Sequence, residues 1–242
     1  MIEYYITTAD ECHVRTELEM DFLDGAPQAE RPWLAWAFLK LDIAEGTLPD
    51  ADTIKKLEAV TTLLNTRLSQ ELDVVSVGHK YEDGWVELYY YGPTAKKFQA
   101  VVSEVIGSQY IMDIGSTRDA KWEHYLYTLY PDPLMLQQIQ TRQVLDALSE
   151  AGDDFSKERE VEHYLGFLTE GHAKRVSEEL YLHGFEEKTL GYNSSEEYGN
   201  TLVMTQTHTL DKELLEELAF LLMTTAEKEH GIYVGWSSEV AL

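Results

Sequence analysis

The chain has 242 residues, 44% of them apolar, so it can bury a sizeable core and is not generally disordered. It carries 19 basic and 44 acidic side chains, a net charge of −25, which repels a phosphate backbone and argues against direct nucleic-acid binding. A single cysteine excludes a disulfide framework within one chain, and no apolar run approaches the ~18 residues of a membrane span.

The acidity is shared by both halves. Residues 1–131 hold 11 basic and 22 acidic groups (net −11), and residues 132–242 hold 8 and 22 (net −14). Such a body draws in a basic protein partner, although the plainer reading is that the charge keeps a cytoplasmic protein dissolved. The N-terminal MIEYYITTADE has no basic region followed by an apolar one, so the cytoplasm is the expected compartment.

In chain order, residues 2–8 and 12–19 read as two strands joined by Ala9-Asp10-Glu11, with Cys12 on the same inward face as Val14, Thr16 and Leu18. Residues 33–43 form a long apolar strand. Asp50 or Asp52 caps a helix running to about Leu72, with Leu57, Val60, Thr61, Leu64 and Leu68 as its buried stripe. Glu82-Asp83-Gly84 is a hairpin turn between strands 74–80 and 85–91. Thr94 is expected to cap a second helix, and residues 110–114 and 122–130 to be strands.

Pro131-Asp132-Pro133 reads as a boundary, with Asp132 capping a helix that has proline at its first position and ends near Gly152. Residues 158–168 then read as strand, 169–183 as helix, and 185–192 and 201–209 as strands. In the last stretch, Leu214, Leu215, Leu218, Leu221, Leu222 and Ala226 share one helix face, Asp211 caps it, and Leu210 with Leu215 has the spacing of a hydrophobic staple. Gly231 is expected to close that helix in a left-handed conformation. A strand follows, with Ile232, Val234 and Trp236 alternating against Tyr233, Gly235 and Ser237. Residues 33–130 thus follow a β-α-β-β-α-β order with one further strand, and residues 158–240 follow the same order. The expected fold is α+β: two tandem ferredoxin-like sandwiches over residues 1–131 and 132–242, each an antiparallel sheet with helices on one face.

No Gly-rich phosphate loop, Walker loop, HExxH, GxSxG or EF-hand loop is present, and no two histidines have the i,i+4 spacing of a helical metal site. No cofactor or metal is expected. His163 and His124 each follow a glutamate in a stretch read as strand, where neighbours face opposite ways, so both read as core or edge residues. Tyr89, Tyr90 and Tyr91 with Tyr125, Tyr127 and Tyr130 invite comparison with an RNA-stacking sheet. No basic residues are interleaved with them, so they read as packing. Among the acidic clusters, Glu158, Glu160 and Glu162 differ in kind: period 2 lines three carboxylates along one face of a strand, a row that needs exposure or a cationic partner.

Residues 133–242 resemble the regulator of ribonuclease E activity B family. The resemblance lies in Ala151-Gly152-Asp153-Asp154, Val161-Glu162-His163-Tyr164 with Phe167, Gly184-Phe185, and Ala226-Glu227-Lys228 leading into Tyr233-Val234-Gly235-Trp236. Val234 stands where the family usually has aspartate, so any contact made by that carboxylate is lost. The N-terminal half is similar to the uncharacterised DUF695 family through Arg31-Pro32-Trp33, Gly46-Thr47-Leu48-Pro49, and Val77-Gly78 with Gly84-Trp85 through Tyr91.

The resemblance implies a non-enzymatic inhibitor that binds a basic protein segment, the arginine-rich region of ribonuclease E, and dampens RNA cleavage. Asp153, Asp154, Glu158, Glu160, Glu162 and Trp236 are the candidate partner-binding residues. Two other readings compete with it. One is an enzyme or small-ligand protein with its site in an inter-domain cleft lined by His163, His124 or the tyrosines. The other is a module whose sheet edges pair with a second copy of the chain.

Overall fold

A computed structural model describes residues 1–9, 12–44 and 46–242, which form two compact units, Met1–Pro131 and Asp132–Leu242. The turn expected at Ala9-Asp10-Glu11 lies partly outside the described residues. Unit 1 comprises β1 (Ile2–Ala9), β2 (Cys12–Glu19), β3 (Trp33–Lys40), α1 (Ala51–Leu72), β4 (Val75–Glu82), β5 (Trp85–Gly92), α2 (Phe98–Ile106) and β6 (Met112–Arg118). Its six strands are antiparallel in the order β1-β2-β4-β5-β3-β6. Asp50 caps α1 by accepting from the Thr53 amide at 2.8 Å, and Leu57, Leu64 and Leu68 go into the core. Asp83 and Gly84, with φ of 46° and 75°, make the two-residue turn whose twist suits a hairpin.

Three local expectations in this unit are corrected. α2 starts at Phe98 rather than beside Thr94, because Thr94 accepts from the Lys96 amide in a turn and Lys97 is left-handed. β6 starts at Met112 and continues to Arg118, past the expected end at 114.

The third correction is the largest. Residues 122–130 are not a strand: Trp122 is left-handed (φ 57°), and residues 123–129 wind into a helical segment in which Tyr125–Leu129 make a wide, π-type turn. Trp122, Tyr125 and Leu129 are fully buried. Asp119 starts the segment by accepting from the amides of Glu123 (2.9 Å) and His124 (3.0 Å) and from the Tyr91 hydroxyl (2.6 Å). The Trp122 ring stacks on Tyr91 at 4.1 Å, the Tyr125 hydroxyl donates to the Glu19 carbonyl, and the Tyr5 hydroxyl donates to the Leu129 carbonyl. The segment therefore covers the sheet face that α1 and α2 leave open.

Unit 2 comprises α3 (Pro133–Glu150), β7 (Arg159–Phe167), α4 (Glu170–Tyr181), β8 (Glu186–Tyr192), β9 (Asn200–His208), α5 (Lys212–Lys228) and β10 (Ile232–Ser238). Its four strands are antiparallel in the order β10-β7-β9-β8. The corresponding four strands of unit 1, β6-β3-β5-β4, have the same order, and the β1–β2 hairpin extends that sheet. Side-chain caps start all three helices of unit 2: Asp132 accepts from Met135, Thr169 from His172 and Asp211 from Leu214. Leu210 and Leu215 are both buried in one cluster with Val161 and Trp236, as a staple requires.

Two corrections concern the end of the chain. The left-handed residue after α5 is His230 (φ 54°), and Gly231 is needed for a different reason: a Cβ there would sit 2.2 Å from the Phe167 ring and 2.9 Å from the Gly166 carbonyl. The expected alternation of Ile232, Val234 and Trp236 is also broken. A bulge between Tyr233 and Gly235 puts Tyr233 and Trp236 on the same buried face, opposite Leu165 and His163, and leaves Val234 50% exposed.

Candidate protein-interaction surface

β7 alternates cleanly. Val161, His163, Leu165 and Phe167 lie on the helix-covered side and are at most 1% exposed. Glu160, Glu162 and Tyr164 therefore lie on the side that carries no helix of the unit. Register places Glu160 opposite Thr207 and Glu162 opposite Thr205, with Glu186 of β8 beyond Thr205. This is a polar face.

Like charges two residues apart on a strand repel, and a single ammonium relieves them. Lys188 lies at a bulge in β8, and its Nζ donates to Glu160 at 2.8 Å and to Glu162 at 2.6 Å. The Tyr164 hydroxyl donates a further 2.7 Å bond to Glu162 and lies 2.9 Å from the Ser237 hydroxyl. The Lys188 ammonium, and after it the Tyr164 hydroxyl, hold the Glu162 carboxyl below the usual carboxylate range. Glu160 and Glu162, through their hydrogen bonds, raise the Lys188 ammonium above its ordinary value. Glu160, Glu162 and Lys188, with Arg159, Ser237, Ser238 and Glu239, line an open hollow of about 450 Å³. Glu160 and Lys188 remain 58% and 43% exposed, so the pair exchanges readily with water or an incoming cation.

Glu158, just before β7, is exposed. Asp154 is exposed and forms a local turn, accepting from the Ser156 amide at 3.1 Å and its hydroxyl at 2.6 Å. The other two candidates lie inside. Asp153 has no exposed side-chain surface: it accepts both ways from Arg159 Nη1, at 2.7 and 2.5 Å, and takes the Ala241 amide at 2.9 Å. Burial works against its ionisation, but the Arg159 and Ala241 hydrogen bonds prevail and its carboxyl sits below the ordinary range. Trp236 is 8% exposed, and its indole N–H donates to Thr141 at 3.0 Å. Both are engaged within the unit: Asp153 ties Ala241 to the start of β7 through Arg159, and Trp236 joins α3 to the sheet.

The histidines and tyrosines are framework. His163 is 1% exposed, with its Nδ1 3.0 Å from the Tyr233 hydroxyl, its ring against Phe185, and the His208 ring 5.8 Å away. Burial, and then the neighbouring His208, push its pKa down to about 3, so it is neutral at neutral pH. His124 is half-buried with its ring 4.5 Å from Tyr89. Tyr89, Tyr90, Tyr91 and Tyr125 are buried, whereas Tyr127 is 81% exposed. Among the described residues no group of three or more His, Cys, Asp or Glu side chains is placed to hold a metal ion, and no helix is long and apolar enough to cross a membrane.

Sequence reasoning missed Lys188 as the counter-ion of the glutamate row. Its spacing from β7 carries no signal, because a bulge and a strand pairing bring the two together. Arg159 was visible between two glutamates, but only the fold turns it inward to Asp153.

Comparison with known families assigns the two units separately. Residues 3–130 match the family described as "Family of unknown function (DUF695)", and residues 138–238 match "Regulator of ribonuclease activity B". No curated protein matches the chain.

Proposed function

Because the chain belongs to the DUF695 family through residues 3–130 and carries a match to regulators of ribonuclease activity over residues 138–238, we propose that it is a non-enzymatic regulator of RNA cleavage. It binds a basic segment of a ribonuclease E-type enzyme, in the cytoplasm, and inhibits it. The match over residues 138–238 carries this reading, and the uncovered acidic face of unit 2 supplies a physical means. There Glu158, Glu160, Glu162 and Asp154 offer carboxylates to arginine, and Lys188 is the cation that an incoming guanidinium displaces. Bidentate arginine exchanges for a single exposed ammonium at little cost, since exposed pairs are worth roughly 0–1 kcal/mol. Long-range attraction to a body of net charge −25 brings the partner in.

We also read each unit as a ferredoxin-like domain, residues 1–131 and 132–242, on the strand order the two sheets share. The edges β1 and β6 in unit 1, and β8 in unit 2, are where a second copy would pair.

RNA cleavage by the host's own full-length ribonuclease E, with and without the full chain at low and at moderate salt, tests the reading. A variant carrying Glu158→Gln, Glu160→Gln and Glu162→Gln is run beside it. Inhibition that fades with salt and with the variant is the expected result. Inhibition unmoved by the variant would discard the acidic face, and no inhibition at several-fold excess would discard the function.

A further inference from the structure

Unit 2 has a second hollow region, built from other residues than the acidic face, where the start of α3, the end of α5 and the start of β10 meet. Two adjoining hollows of about 360 and 220 Å³ share Pro133, Met223 and Glu227. Their walls are largely apolar: Leu136 and Ile232 line the larger, Leu134 and Phe220 the smaller. Phe220 is 58% exposed, Val234 50% and Ile232 40%, on two elements whose other large apolar side chains are buried or partly buried. Apolar surface gathered in a groove rather than scattered marks an interaction site. Asp132 and Glu227 line it too, and among the described residues no Lys, Arg or His does.

A second observation concerns Gln137, which lines the larger hollow and is 7% exposed. Its amide nitrogen lies 3.4 and 3.3 Å from the carbonyls of Tyr233 and Val234, covering the edge of β10 where the bulge falls. Its Oε1 is buried and accepts no hydrogen bond.

We infer that this groove docks a basic amphipathic segment of a partner protein, with apolar side chains against Leu136, Met223, Phe220 and Ile232 and Lys or Arg side chains at Asp132 and Glu227. Charge decides the occupant: a neutral or acidic segment gains nothing from a rim of carboxylates on a unit with 22 acidic and 8 basic side chains. The inference rests on the reading of unit 2 as a protein-binding regulator, and it locates the apolar half of the contact. The acidic face steers the partner; the groove retains it, because apolar burial survives salt while exposed charge pairing does not.

The test uses the full chain and two synthetic peptides of equal length and equal positive charge. One carries leucine at helical spacing (i, i+3, i+4, i+7), and the other has serine at those positions. The leucine peptide is expected to bind about tenfold tighter or more, since burying even one leucine side chain is worth that factor. Phe220→Ser with Ile232→Ser is expected to abolish the preference, whereas Glu160→Gln with Glu162→Gln weakens both peptides and leaves the preference in place. Met223→Lys, which puts a like charge on the groove floor, provides a second variant, and unfolding midpoints check that each protein is folded. Equal binding of the two peptides, or a preference that the groove variants do not move, would overturn the inference. A leucine preference that disappears with the groove variants, in a protein that leaves ribonuclease E uninhibited, would support the groove and discard the ribonuclease target.

Discussion

Asp153 and Glu162 are both acidic and lie close together in the chain, yet their environments differ: the Asp153 side chain is fully enclosed, and that of Glu162 keeps 31% of its surface. Asp153 is enclosed with Arg159, and removing either partner strands the other without its counter-charge, so Asp153→Ala should lower the unfolding midpoint of unit 2. Asp154→Ala, which removes only an exposed turn, should lower it less. Trp236 supplies a sharper contrast between core and contact. Trp236→Ala removes a buried indole and its bond to Thr141, and it should cost about 3–5 kcal/mol in urea unfolding, far more than any loss of binding in the protein that remains folded. His163 makes a pH prediction. Its pKa is about 3 in the folded protein and about 6.5 in an unfolded chain, so the unfolded state binds the extra proton between those values. Its contribution is fully present above pH 6.5 and is lost as pH falls toward 3, amounting to about 2 kcal/mol at pH 5. Facing it are the Tyr233 hydroxyl and His208, itself lowered by burial, and neither supplies a negative charge at these pH values to hold a proton on the ring. Thermal unfolding from pH 7.5 to 4.5 should show this slope, and His163→Gln should flatten it.

At the scale of elements, the end of the chain shows how one irregularity sets the chemistry of a surface. The bulge at Val234 lets Tyr233 and Trp236 both face inward and leaves Val234 outward, beside the groove. Gly231 permits this turn by keeping the backbone against Phe167, and Gly231→Ala should destabilise unit 2 by roughly 1–3 kcal/mol in denaturant titration. On the opposite face of the sheet, strand alternation carries Glu160 and Glu162, and the bulge in β8 brings Lys188 to them. Because Glu160 and Lys188 are exposed and Glu162 partly so, Glu160→Gln with Glu162→Gln should change stability by less than about 1 kcal/mol while lowering affinity for an arginine-rich peptide, measured by titration at low salt. The segment 122–130 gives the converse case. Its aromatic and leucine content has the propensity of a strand, but the buried Tyr125 and Leu129 stand at i, i+4 and Asp119 caps the turn. Periodicity held the better information there, and propensity concealed it.

For the whole molecule, a net charge of −25 acts on partners before any contact is made. The association rate with a basic protein segment should fall by about tenfold or more between low and moderate salt, with a much smaller change in the dissociation rate. Stopped-flow mixing at several salt concentrations separates the two. The repetition of one strand order in two sheets without a detectable repeat in the residues shows which property the two units share. It is the alternation of helix and strand periods, and many sequences satisfy that pattern.

The order of elements apart from residues 122–130, the capping aspartates at 50, 132 and 211, the hairpin turn at Asp83-Gly84 and the placing of Glu160 and Glu162 on one face of β7 were legible in the sequence, because each depends on neighbours within a few residues. The two bulges, the inward turn of Asp153 with Arg159, the pairing of Lys188 with the glutamates and the groove beside β10 were not. Each depends on residues distant in the chain that a sheet register or a helix packing brings together, and a shift of one residue in register moves every side chain to the other face. The sequence by itself determined the periods and the charge of this protein. Only the tertiary structure decided which carboxylates meet solvent and which are already engaged.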